Sequence, residues 1–470
     1  YSSQYCCPAR ASLLMGVHDS HSRSYTQTNG GLVITAEQQG WSNEELEKKA
    51  ARAARIKPSG GEVFLPELLK KAGYVTGQFG KLEWGFTTWH GELKRHGWDR
   101  YVGYMDHQRA HGYYPSFLWK DGERLPLPGN THADGGKTPE IYGPGATEKR
   151  RGNRDGKVTY APDAMLAETL KFMEENRNRP MFILFSTNLP HGPVDIPPAE
   201  NKYAGHPAIR QAYAGAAGGN RECAGAAEEY ASMVDKLDRQ VGAILAQVHK
   251  LGLEKRTIIV FSSDNGHELY YRTDKERGRG LNCHGGVLDG TGELLDVFRG
   301  SRGLIGQKNA MVNLAGLKWT NHEGGIRVPL IVSWPGTVPH GKVCRSLVAS
   351  YDHMATFAEL AGVGMPEGKD SVSYKNMLFG KPSSQRDYVV VDHTVITGDG
   401  WKLTHKQDKW LLFQISSDPE ERHNLAETRK DQLERLQAIY RKEAGSPRKD
   451  RQKPEQPRKT ALFPPLAFAG

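Results

Sequence analysis

Short, wholly apolar runs set between helical patterns constrain this chain most. Met181 to Phe185 (MFILF), Thr257 to Phe261 (TIIVF) and Val328 to Trp334 (VPLIVSW) lack the apolar–polar alternation of a half-exposed strand. A strand that is apolar on both faces needs cover on both, as in a sheet flanked by helices. Helical patterns lie between these runs. Phe64 to Gly73 (FLPELLKKAG) puts Leu65, Leu68, Leu69 and Ala72 on one face and stops at Gly73. Tyr74 to Phe79 then reads as a strand leading into Gly80. Ala161 to Asn176 and Glu228 to Leu251 read as helices. The alternation predicts an α/β fold with a large, mostly parallel sheet flanked by helices.

With 470 residues the chain has room for one large domain and a smaller one. Near Lys381 the pattern changes. Tyr388 to Val391, Trp401 to Thr404 and Trp410 to Gln414 are short strand candidates, and a helix is expected over Lys430 to Glu443. The expected division is a main domain over 1–380, a small α+β subdomain over 381–444, and a basic, Pro-rich tail over 445–470 that reads as disordered. Gly129 to Asp155 and Tyr271 to Gly306 read as long loops.

The net charge of +9 owes much to the tail and does not imply a nucleic-acid partner, but it suits an anionic substrate. No run of eighteen apolar residues is present, so no membrane span is expected. The five cysteines (Cys6, Cys7, Cys223, Cys283 and Cys344) are odd in number and irregularly spaced, which predicts neither a disulfide framework nor a zinc site.

The adjacent pair needs its own account. In Cys6-Cys7-Pro8-Ala9-Arg10 a proline follows Cys6 by two residues and an arginine by four, ahead of Ala11-Ser12-Leu13-Leu14. On a helix, Arg10 shares a face with Cys6 and could hold an anion beside it. A buried cysteine pair at a helix start is the plainer reading of the same residues.

This segment resembles the signature of the formylglycine-dependent sulfatases, within the alkaline-phosphatase-like superfamily. There the cysteine of Cys-x-Pro-x-Arg is oxidised to formylglycine (3-oxoalanine). Cys6 has the required spacing and Cys7 does not. The resemblance runs to about residue 440. Phe64 to Gly85 is similar to a family segment ending in Gly-Lys-Trp-His-Leu-Gly, which makes Lys81 the sulfate-contacting lysine. Glu83 stands where the family usually has a histidine. Asn188 to Pro193 resembles the Pro-His-x-Pro element, so His191 is expected near the leaving oxygen. Ser263-Asp264-Asn265-Gly266 closes an apolar run and resembles the element whose Asp-Asn pair binds calcium. Leu317 to Pro329 is similar to Lys-x-x-x-x-Glu-Gly-Gly-x-Arg-Val-Pro, with Lys318 as a second sulfate lysine and Glu323 and Arg327 holding the loop. Trp98 to Trp119 resembles a segment of bacterial arylsulfatase-like members and offers His111 as a pocket residue.

The resemblance implies a sulfuric-ester hydrolase acting on a sulfated small molecule or carbohydrate. Calcium would be bound, and a formylglycine-generating enzyme would be the maturation partner. Periplasmic or extracellular placement is the family's habit. An Asp-Asp pair ahead of the cysteine is also expected of the family, and on that ground the sequence reads as N-terminally incomplete. A phosphonate or phosphodiester hydrolase of the same superfamily, or a non-catalytic binding protein on the same scaffold, are the other readings.

Overall fold

The computed structural model describes residues 1–21, 36, 39–42, 44–46, 48–49, 62–82, 90–107, 109–130, 156–192, 194–207, 209–210, 221–266, 280–281, 287–288, 301–304, 311–316, 318–381, 386–406 and 408–444. Glu83, the tail and most of the two long loops lie outside them.

The sheet is built around β1 (Val75–Lys81), which is buried at every position. It pairs in parallel with β2 (Arg100–Tyr104), Gly77 opposite Arg100, and with β5 (Met181–Ser186), Val75 opposite Met181. Beyond β2 the sheet turns antiparallel through β3 (Phe117–Lys120) and β4 (Glu123–Pro126). The α/β reading therefore holds, with a mixed sheet: parallel at β1 and antiparallel towards β4. Asp121-Gly122 joins β3 to β4, and both residues have positive φ, the geometry of a tight hairpin. At the end of β1, Gly80 has φ 123°, and a Cβ there would overlap the Ser186 carbonyl, so glycine is required where β1 meets β5.

Helices cover both faces. α1 (Cys6–Met15) and α2 (Leu65–Lys70) lie on one side, where Cys7, Leu14, Phe64, Trp98 and Tyr101 share a core. α3 (Ala161–Glu175) lies on the other and packs Met165 and Phe172 against Val75, Phe79 and Val102. α4 (Arg221–Lys250) backs α3. No described helix is long and apolar enough to cross a membrane.

Among the described residues, β6 (Ile259–Ser262) pairs only with β7 (Leu330–Ser333), in antiparallel fashion, and β5 pairs only with β1. The apolar runs read as buried strands are thus half-buried in β5 and β6 and largely exposed in β7. β5 and β6 both line a cavity of about 1320 Å³, with α4 on one side and α1 and α5 (Asp352–Ala361) on the other.

Four antiparallel strands follow in sequence order: β8 (Tyr388–Val391), β9 (Thr394–Thr397), β10 (Trp401–Lys406) and β11 (Lys409–Gln414). α6 (Lys430–Ala444) covers them through Leu436 and Tyr440. β9 escaped the sequence reading because its four residues sit between turns, yet it is fully buried. The stretch read as a loop over 271–306 contains short strands at Gly280–Leu281, Val287–Leu288 and Ser301–Leu304.

Candidate active site

The C-terminal ends of β1, β5 and β6 and the N-terminus of α1 converge on one end of the cavity. α1 begins at Cys6, after Tyr5 in an extended conformation with no side-chain cap. Pro8 has no N–H and Ala9 donates to the Tyr5 carbonyl, so the Cys6 and Cys7 amides are the ones that can face an anion, and the helix dipole adds partial positive charge there. Cys6 is buried. One helical turn on, the Arg10 guanidinium donates to the Lys81 carbonyl, which also accepts from Ser186 Oγ at 2.7 Å and Gln78 Nε2 at 3.3 Å. The end of β1 is thereby tied to α1 and to β5.

Lys81 is 6% exposed. Burial lowers its pKa below the usual ammonium value; Cys6 and Asp264 act against that shift, and Lys318 and Arg10 add to it. Among the described residues no carboxylate pairs with Lys81. Lys318 is buried too, and its Nζ donates to His191 Nε2 at 3.1 Å. His191 Nδ1 lies 2.6 Å from the Gly192 carbonyl, so the proton sits on Nδ1 and Nε2 is the acceptor. The His111 ring stacks on His191, with centroids 4.2 Å apart and planes 6° apart.

Asp264 and Asn265 follow β6. Asn265 is buried, its Nδ2 donates to the Gly266 carbonyl, and among the described residues its Oδ1 has no hydrogen-bond partner. Gly266 donates its amide to the Gly325 carbonyl at 2.8 Å, and a Cβ on Gly266 would overlap Gly324. Glycines on both sides let the Asp-Asn turn meet the loop that carries Lys318.

Of the residues singled out in the sequence, Arg10, Lys81, His191, Lys318, Asp264 and Asn265 all line this cavity. Cys6 begins the helix whose Ala9 and Arg10 line it, and His111 adjoins it through its stacking on His191. Glu83 lies outside the described residues. Glu323 points elsewhere: it accepts from Lys402 at 3.1 Å and from the Tyr1 hydroxyl at 2.9 Å.

Other residues near the site went unremarked in the sequence. His107 Nδ1 is 3.7 Å from Cys7 Sγ, so the second cysteine faces a histidine. Burial pushes the Cys7 thiol up to about 12, aided by Cys6, which leaves it protonated. Asn188 Nδ2 donates to the Ala110 and Gly112 carbonyls, and the Tyr113 hydroxyl donates to the Asn188 and His191 carbonyls. These bonds fix the loop of His191 against that of His111. Trp319 has φ 78° and is 54% exposed, stacked on Tyr5 at 4.9 Å. Only the i, i+4 spacing of His107 and His111 hinted at any of this.

The family model described as Sulfatase matches residues 1–363. The chain belongs to the sulfatase family. A second model, N-sulphoglucosamine sulphohydrolase, C-terminal, matches residues 318–444. Among curated sulfatases, the N-acetylgalactosamine-6-sulfatase of Canis lupus familiaris is 26% identical over 310 residues, covering 66% of this chain and 46% of that one. The N-acetylgalactosamine-6-O-sulfatase of Bacteroides thetaiotaomicron is 26% identical over 226 residues, covering 43% of this chain and 39% of that one. The chain spans about half the length of the curated sulfatases it matches. A solved sulfatase from a study of glycosaminoglycan metabolism by Bacteroides thetaiotaomicron superposes with a TM-score of 0.63 at 19% identity, covering 94% of this chain and 89% of that one. At that identity the likeness is one of fold.

Proposed function

We propose that this protein hydrolyses sulfate esters through a formylglycine made from Cys6. The observation that carries the reading is the convergence of Arg10, Lys81, His191 and Lys318 on one cavity end beside the N-terminus of α1. The formylglycine hydrate would supply a hydroxyl nucleophile for sulfur, and calcium would polarise it.

The residues of the chain do the rest. Arg10, Lys81 and the first amides of α1 hold the sulfate oxygens. Lys318 lies against His191 Nε2, so a proton can be shared at that atom and passed to the departing alcohol oxygen. One donor placed on developing negative charge contributes roughly 3 kcal/mol. The donor set also fits calcium: Asn265 Oδ1 is a buried hard acceptor with no other partner among the described residues, next in sequence to the Asp264 carboxylate. These two residues supply only part of a shell of about six to eight oxygens. Several curated relatives are N-acetylgalactosamine-6-sulfatases by name, which favours a sulfated carbohydrate as substrate, while others are named arylsulfatase and steryl-sulfatase. Maturation by a formylglycine-generating enzyme and export from the cytoplasm belong to the same reading.

The test is mass spectrometry of the Cys6 peptide after co-expression with a formylglycine-generating enzyme, with turnover of an aryl sulfate and an aryl phosphodiester. An aldehyde at position 6 with preference for the sulfate supports the proposal. An aldehyde at position 7, or activity surviving Cys6→Ala, overturns it. Preference for the phosphodiester points to the related hydrolases instead.

A further inference from the structure

α1 ends at Gly16, whose left-handed conformation turns the chain into a segment carrying His18 and His21. The Asp370 and Ser371 amides donate to the Gly16 carbonyl at 2.9 and 3.1 Å, and the last turn of α6 brings in Glu443. Three segments distant in sequence thus bring two imidazoles and two carboxylates together, away from the cavity described above.

His18 is 3% exposed, and among the described residues neither of its ring nitrogens has a hydrogen-bond partner. Its Nε2 faces Asp370 Oδ2 at 3.6 Å and Glu443 Oε2 at 3.9 Å, both too long for hydrogen bonds. Two orphaned nitrogens on one buried ring are costly unless something outside the chain satisfies them. Burial takes the His18 pKa down to about 4, against the pull of Asp370, so the ring is neutral at pH 7, the form that ligates metals. A space of about 340 Å³ opens beside it, lined by His18, Asp370, Arg386 and Glu443. The guanidinium of Arg386 is engaged by Asp352.

We propose that His18, His21 and Glu443 bind a divalent transition-metal ion of the zinc class. One ligand atom from each lies within 4.8 Å of the others. Tetrahedral coordination at about 2.0–2.1 Å brings ligand atoms to about 3.4 Å from one another, so the site closes by modest side-chain rotation. The exposed His21, stacked on His18 at 3.9 Å, has that freedom. Asp370 contacts His21 Nδ1 at 2.8 Å and orients that ring, as carboxylates do for metal-bound histidines. Glu443 Oε1 accepts from the Tyr388 hydroxyl, which turns Oε2 towards His18. Two imidazoles and one carboxylate suit zinc, nickel or copper rather than calcium. The ion would staple the end of α1, the helix that begins at Cys6, to α6 at the end of the C-terminal sheet.

The test is zinc titration of the full chain by calorimetry and thermal melting, with millimolar calcium present to occupy oxygen-donor sites. One zinc per chain is expected, with a rise in melting temperature. His21→Ala removes an exposed side chain and Glu443→Gln keeps its shape, so both should fold. Each is expected to weaken zinc binding at least tenfold and to abolish the thermal shift. Zinc binding unchanged in both variants, or no zinc bound at micromolar free ion, overturns the proposal.

Discussion

Two buried lysines in this molecule live in opposite surroundings. Lys402, on β10, has no exposed side-chain surface, and its ammonium lies between Glu323 at 3.1 Å and Glu421 at 2.8 Å. Lys81, at the end of β1, is nearly as buried, yet no described carboxylate pairs with it and two further cations stand nearby. A buried charge persists when something compensates it. For Lys402 the compensation is internal and joins the Glu323 turn to the C-terminal sheet. For Lys81 an anionic ligand would supply it, which is how a binding site differs from a structural ion pair of similar burial.

Substitutions should separate the two. The largest effect is expected at the position that Lys81 and Arg10 serve: Cys6→Ala should lower sulfate-ester turnover of matured enzyme to background, at least about a thousandfold. Activity retained in Cys6→Ala would remove the reason for the cationic cluster. Next in size, Lys402→Met removes the buried ammonium between Glu323 and Glu421, leaving only Arg327 beside the one and His322 beside the other, and should cost about 3 kcal/mol of stability in a denaturant melt. Lys81→Met should do the reverse, lowering kcat about a hundredfold or more while stability holds or rises, because an unmatched charge is gone. A Lys81→Met variant that melts early would show that its role is structural after all.

Acid gives a smaller effect with a defined sign. Burial alone would raise Glu421, but Lys402 and His322 hold it down to about 2. A depressed carboxylate contributes stability above its ordinary value of 4.5, and that stability is lost as pH falls towards 2. Melting temperature should therefore drop between about pH 4.5 and 2, and Lys402→Met should flatten that drop.

Much of the site was readable because sulfatase motifs are local. Cys6 with Arg10, Asp264 with Asn265, and His191 in its Pro-His loop each occupy one short segment, so the resemblance to the family's motifs picks them out, where the bare residues read as a cysteine pair, a turn and a loop. The helices and most strands followed from periodicity, which is also local. What the chain could not announce were contacts between segments. His107 beside Cys7, Asn188 and Tyr113 locking two loops together, and Lys318 against His191 Nε2 join residues from about 75 to over 120 positions apart.

The apolar runs show where the two kinds of information part. Composition determined that β5, β6 and β7 would be strands, because Ile, Val and Phe without polar interruption favour nothing else at that length. Burial depends on neighbours, and only the tertiary structure placed β5 and β6 along a cavity and left β7 largely exposed. The same holds for charge. Sequence determined that lysines stand at 81, 318 and 402, but only the fold decided which of them meets carboxylates and which are gathered around one cavity end, because electrostatic partnership is set by distance in space.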